Sequence, residues 1–274
     1  MTAKRLGSLA RGLFVGLLGA VLFATPAAAQ STTAELINGL NGRLLYVAIP
    51  ITILVEAILI YTVLKFKDND EAKPTKENRR LEITWTVATA VILLFVGVAS
   101  YGVLANDAVT YTQPTPGENV DGVHVEAEAY QWNWNMNYPD QGIQKLTASD
   151  LNIDRASDVS GPVIVLPVDR PAYITVTAQQ VLHAFHVPEL GLKQDAIPGQ
   201  NNTIKTTPTE TGVYQGYCAE YCGAGHSKMY FTVIVVEQST YDQFLAAQTA
   251  TETATPTNGT STNESSAALG APAL

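Results

Sequence analysis

Two uninterrupted apolar stretches constrain the fold of this 274-residue chain more than any other feature. Residues 44–64, "LLYVAIPITILVEAILIYTVL", and 83–104, "ITWTVATAVILLFVGVASYGVL", each match the ~20 residues an α-helix needs to cross a hydrocarbon layer. They predict a helical hairpin over residues 30–105, with spans at about 44–65 and 83–104. The overall balance of 46% apolar and 15% charged residues agrees with a membrane-bound chain. Between the spans stand Lys65, Lys67, Lys73, Lys76, Arg79 and Arg80, whereas residues 30–44 carry only Arg43. Short basic loops stay in the cytoplasm, so the hairpin loop is predicted inside and everything after Leu104 outside.

The first residues fit a leader. Lys4, Arg5 and Arg11 flank a short apolar run, 13–24, and "TPAAAQ" follows with a small-residue cleavage pattern. Residues 1–29 are predicted to be a signal peptide, with Gln30 the new N-terminus. Thr25 and Pro26 break the run short of a span. The alternative, an uncleaved extra helix, keeps the same orientation because its basic start also stays inside.

Beyond a linker at 106–119 the period changes. "VHVEAEAY" sets Val123, Val125, Ala127 and Ala129 on one face and His124, Glu126 and Glu128 on the other, the signature of a half-buried strand. "PVIVLPVD", "AYITVTA" and "FTVIVVE" add β-branched runs bounded by Pro, Gly and Asp, so residues 120–237 predict an antiparallel β-sandwich or barrel. After a short amphipathic piece, "TYDQFLAAQ", the composition turns to Thr, Ser, Ala and Asn, and residues 238–274 predict a disordered tail. From residue 105 onward there are 18 acidic and 6 basic side chains, a charge of about −12. That excludes nucleic acid as a natural partner and suits a basic protein partner, or a surface kept acidic for solubility.

Both cysteines lie in "GYCAEYCGAGHSKMY". A disulfide is the default for two thiols in an oxidising compartment. Here, however, Cys218 and Cys222 are followed by His226 and Met229 in a Cys-x3-Cys-x3-His-x2-Met ladder. Thiolate, imidazole and weak thioether together are the donor set of electron-transfer copper. One cysteine suffices for a single copper, and a second four residues away would let two thiolates bridge a pair, each then needing an imidazole. Upstream, "VLHAFHV" offers His183 and His186, which strand alternation sends to opposite faces, so one of them is predicted to reach the metal.

"CAEYCGAGHSKM", preceded by "VLHAFHVPELGLKQDAIPG" and by the aromatic run "YQWNWNMNYP", resembles subunit II of the haem–copper cytochrome c oxidases over residues 40–237. The resemblance implies two transmembrane α-helices followed by an all-β, cupredoxin-like Greek-key sandwich, and a binuclear copper A centre. It implies Cys218 and Cys222 as bridging thiolates, His183 and His226 as one imidazole per copper, Met229 as a weak axial ligand and the Glu220 carbonyl as another. It also implies that the Glu220 side chain reaches a magnesium or manganese ion shared with subunit I. Trp132 would be where electrons enter and Glu82 would stand at the mouth of a proton pathway into subunit I, although Trp132 as a core aromatic and Glu82 as a helix cap are equally natural readings of those residue types. Trp132 and Trp134 share one strand parity.

The implied activity is that of an oxidase subunit taking electrons from a cytochrome c or a small blue copper protein and passing them to haem in subunit I, where oxygen is reduced and protons are pumped. This chain has no Cys-x-x-Cys-His, and its predicted spans contain no histidine. Two other readings remain. A membrane-tethered copper-delivery protein would also use Cys-x3-Cys and a distant His, on a fold alternating strands with helices. A stand-alone cupredoxin-type carrier would need one anchor rather than a hairpin.

Overall fold

The computed structural model describes residues 29–71, 73, 74, 76–111, 120–151, 159 and 161–254. Residues 1–28 of the expected leader, linker residues 112–119 and the tail beyond residue 254 lie outside the described residues.

Helix α1 spans Thr32–Phe66 and α2 spans Arg79–Leu104, and both are long and apolar enough to cross a membrane. Helix α1 starts well before the apolar run because its start is set by a cap rather than by hydropathy. Ser31 Oγ accepts the Ala34 N–H at 3.0 Å, and Glu35 in the first turn suits the positive end of the helix dipole. Its 35 residues reach about 52 Å, so roughly 20 Å of helix stands clear of a ~30 Å hydrocarbon layer. Helix α2 is capped by Asn78 Oδ1, which accepts the Leu81 N–H at 3.1 Å, and none of its side chains is buried. The apolar flanks of the hairpin are thus left for lipid and neighbouring protein.

The rest is a two-sheet sandwich. Strands are β1 (Val123–Tyr130), β2 (Asn133–Asn137), β3 (Val163–Pro167), β4 (Ala172–Ala178), β5 (His183–Val187), β6 (Leu192–Ala196), β7 (Asn202–Thr206), β8 (Gly212–Cys218) and β9 (Tyr230–Val236). One sheet runs β2-β1-β4-β7 and the other β3-β9-β8-β5-β6. Burial in β1 alternates as its sequence predicts. The expectation of an antiparallel domain needs correction: β1 pairs parallel to β4, and β3 parallel to β9. Alternation reports which face is buried, and it carries no information on the direction of the neighbour. Among the described residues of this domain no α-helix alternates with the strands, which removes the fold expected of a copper-delivery protein.

The facing sheets bury an aromatic cluster. Phe185 and Phe231 stack at 4.5 Å between centroids, and Trp134 meets their edges at 5.9 and 5.3 Å. The expected tail is corrected at its start, because Gln238–Ala254 forms helix α3, with Tyr241 and Phe244 buried against the sandwich. Strand β3 lies at a sheet edge, and the Tyr138 hydroxyl occupies that edge. It donates to the Val165 carbonyl at 2.8 Å and accepts the Val165 N–H at 2.6 Å. Phe244 closes over the Tyr138 ring at 5.9 Å.

The hairpin is seated on the sandwich. Ser31 Oγ donates to the Leu190 carbonyl at 2.7 Å, and the Thr32 N–H donates to Thr207 at 3.1 Å. Gly191, at φ +64°, lets the first turn of α1 close in, since a Cβ there would stand 2.9 Å from the Ala34 backbone.

Candidate metal centre

Three neighbouring strands bring the donors together. Strand β8 ends on Cys218, whose N–H donates to the Met229 carbonyl just before β9. Strand β5 pairs Phe185 with Cys218, which places His183 beside the same loop, and the Ala219 N–H donates to the Ala184 carbonyl at 2.9 Å. The loop then folds Cys222 back under a 3-10 turn at His226–Lys228.

The resulting distances are short. His183 Nδ1 lies 3.6 Å from Cys218 Sγ, and the two sulfurs are 4.0 Å apart. Cys222 Sγ is 3.7 Å from His226 Nδ1 and 3.3 Å from Met229 Sδ, while the Glu220 carbonyl lies 3.2 Å from Cys218 Sγ. Both cysteines are free thiols, so this is not the disulfide that export would favour. The ligand atoms of His183, Cys218 and Cys222 lie within 4.8 Å of one another, and all three residues are buried. His226 sits at the rim of that group and is half-buried. His186 takes the opposite face, as alternation predicts: its Nδ1 meets the Leu192 carbonyl at 2.8 Å and its ring lies edge-on to Tyr217.

The chemistry of this donor set fits soft or borderline metal. Burial, and after it the nearby His226, lowers the His183 pKa, so its imidazole stays neutral and able to ligate. Burial first, then the charge of Cys218 and the hydrogen bond with it, push the Cys222 thiol up to about 11. Without metal the thiol keeps its proton at neutral pH, and a bound cation would displace it. His183 Nε2 is buried with no hydrogen-bond partner among the described residues.

The aromatic run divides in two. Trp134, on β2, is 2% exposed and belongs to the core. Trp132 precedes the strand, in the β1–β2 turn, and is 42% exposed. The shared parity expected from the sequence fails because the turn, not the strand, holds Trp132. Its Nε1 donates to the Cys222 carbonyl at 3.1 Å, and its ring lies on the loop glycines. A Cβ at Gly225 would come within 2.5 Å of Trp132 Cγ. The glycines of "CGAG" are the sequence signal for this close approach, and it lies in plain view beside the ligands.

Two expected site residues lie apart or turn away. The Glu220 side chain is exposed while its carbonyl faces the thiol. Glu82 sits in the first turn of α2, about 30 Å along that helix from the end that leads to the sandwich, and its N–H donates to the Asn78 carbonyl at 3.0 Å.

A cupredoxin-like sandwich with a buried thiol and imidazole cluster, carried on two membrane-spanning helices, defines a membrane-anchored protein with a site suited to copper. The sequence profile described as "Cytochrome C oxidase subunit II, periplasmic domain" matches residues 123–238, and the one described as "Cytochrome C oxidase subunit II, transmembrane domain" matches residues 22–103. The chain belongs to the cytochrome c oxidase subunit II family, and hence to a component of a haem–copper oxidoreductase complex. A probable cytochrome c oxidase subunit 2 of Rickettsia bellii is 31% identical over 227 residues, covering 80% of this chain and 81% of the relative. The cytochrome c oxidase subunit 2 of Cereibacter sphaeroides is 30% identical over 240 residues, covering 78% and 77%. Among solved structures, the periplasmic domain of subunit II of the Bradyrhizobium japonicum cytochrome oxidase is 30% identical, with a TM-score of 0.42 over 48% of this chain and 97% of that one.

Proposed function

We propose that this chain is the electron-accepting subunit of an aerobic terminal oxidase, taking electrons from a cytochrome c or a small blue copper protein and delivering them to haem in subunit I. The observation that carries the reading is the convergence of two thiols, two imidazoles, a thioether and a carbonyl from β5, the end of β8 and the loop between β8 and β9. His183, Cys218, Cys222, His226, Met229 and the Glu220 carbonyl would hold a binuclear copper centre. Bound there, such a pair supplies reversible one-electron storage.

The protein's part is to hold and shield. Strand pairing fixes Cys218 and His183 with little freedom to move, so little reorganisation accompanies a change of charge. Met229 at 1% exposure, with Cys218 and Cys222, keeps water from the sulfurs. Trp132, exposed on one side and bonded to the Cys222 backbone on the other, would receive the donor's electron. The exposed Glu220 carboxylate is free to ligate magnesium or manganese at the contact with subunit I, and Glu82 to pass protons into it. The basic hairpin loop supports a cytoplasmic loop and an outer sandwich.

The full chain, copper-loaded in detergent, should bind two coppers and give a seven-line hyperfine pattern in electron paramagnetic resonance. A four-line pattern, or one copper per chain, would overturn the binuclear reading.

A further inference from the structure

The Cys222 carbonyl is gripped from outside its own loop by two side chains. Trp132 Nε1 reaches it at 3.1 Å, and Gln131 Nε2 reaches the same oxygen at 3.0 Å, from residues 90 and 91 positions away in sequence. Cys222 carries the sulfur nearest both Met229 Sδ and His226 Nδ1. The next residue, Gly223, sits at φ +117°, a conformation that only glycine adopts without strain. With no Cβ at Gly223, local sterics do not fix the plane of the peptide joining it to Cys222.

One hydrogen bond to a carbonyl leaves the peptide free to swing about that bond; two donors approaching the same oxygen from one turn fix the plane. Trp132 is already committed by its ring, which lies on Gly225 and Gly223. The Gln131 amide is the second constraint. The Gln131 backbone N–H donates, at 3.4 Å, to Gln180 Oε1, which ties the turn in place.

We infer that Gln131 is a positioning residue for the metal centre: with Trp132 it fixes the Cys222–Gly223 peptide and so sets where the Cys222 sulfur points. The consequence for a metal rests on the copper reading above, whereas the grip itself does not. Two N–H dipoles directed at this ligand's carbonyl also place positive charge near the site, which favours the reduced state.

Gln131 is exposed, so Gln131→Leu removes the donor without disturbing the core. In the assembled oxidase carrying this chain, Gln131→Leu should retain the full copper content. Its copper hyperfine splittings should change, and its reduction potential should fall. Gln131→Glu, which sets a carboxylate oxygen against the carbonyl, should move both further. Splittings and potential identical to the unaltered oxidase in both variants would overturn the inference. A second arm needs no metal: in the full metal-free chain, alkylation of Cys222 should be about fivefold faster in Gln131→Leu, the factor one neutral hydrogen bond is worth. Unchanged alkylation would overturn the inference, whatever metal the chain binds. Absence of copper from the unaltered chain would instead sink the copper reading and leave this arm to decide on the grip.

Discussion

At the scale of single residues the site is organised by burial. Met229, 3.3 Å from Cys222 Sγ and 1% exposed, is the weakest donor of the set. Met229→Leu should therefore keep the metal count while shifting the reduction potential, as read by redox titration of the visible bands. Cys222→Ser should abolish the binuclear signal. In the metal-free protein, His183 and Cys222 bound the pH range of stability. The folded pKa of His183 lies below the ordinary 6.5, so the stability linked to it is complete above that value and is lost as pH falls below it. Cys222 runs the other way: its stability is complete below the ordinary 9.0 and is lost as pH rises toward about 11. Thermal unfolding of the metal-free chain should peak between those limits. A melting temperature still climbing through pH 10 would show that the thiol is not held in this buried setting.

At the scale of elements, the middle of the β3 edge, at Val165, is held by one hydroxyl. Tyr138→Phe preserves the buried ring but leaves the Val165 N–H and carbonyl without their partner, which should cost about 1–3 kcal/mol in denaturant unfolding. An unchanged unfolding midpoint would show that water replaces the hydroxyl there. None of this was legible in "NWNMNYP", because the partner strand is distant in sequence. The ligand ladder was legible: Cys218, Cys222, His226 and Met229 are local, whereas strand parity said only that one of His183 and His186 reaches the metal, and the family resemblance named His183. What parity could not supply was the point where a strand begins. Trp132 and Trp134 are two residues apart, yet the strand starts between them, so one is a surface residue and the other core. Helix α3 was read only in part: "TYDQFLAAQ" showed as a short amphipathic piece but was counted with the tail, and it holds as a helix because the sandwich offers Tyr241 and Phe244 a surface.

At the scale of the whole molecule, charge and anchoring are divided between the two ends. The acidic side chains concentrate after residue 105, where the charge is about −12. If this surface steers a basic donor, turnover of the assembled oxidase with a basic cytochrome c should fall steeply as ionic strength rises to about 0.15 M, where the screening length is about 8 Å. A rate independent of salt would assign the charge to solubility instead. The hairpin and the two-sheet sandwich were both announced by hydropathy and alternation, whereas the parallel pairings of β1 with β4 and β3 with β9 emerged only in three dimensions.

The seat of the sandwich on the first turn of α1 has a further consequence. Because Ser31, Thr32 and Ala34 lock the sandwich to a helix continuous with the membrane span, the outer stretch of α1 behaves as a rigid shaft. Its length is then counted like gear teeth: one residue inserted after Gly42 would turn everything above it by about 100° and raise it by about 1.5 Å. Substitutions along this shaft should be tolerated far better than any insertion or deletion. A single added alanine should cost the assembled oxidase its electron transfer while leaving the spectrum of the metal centre intact.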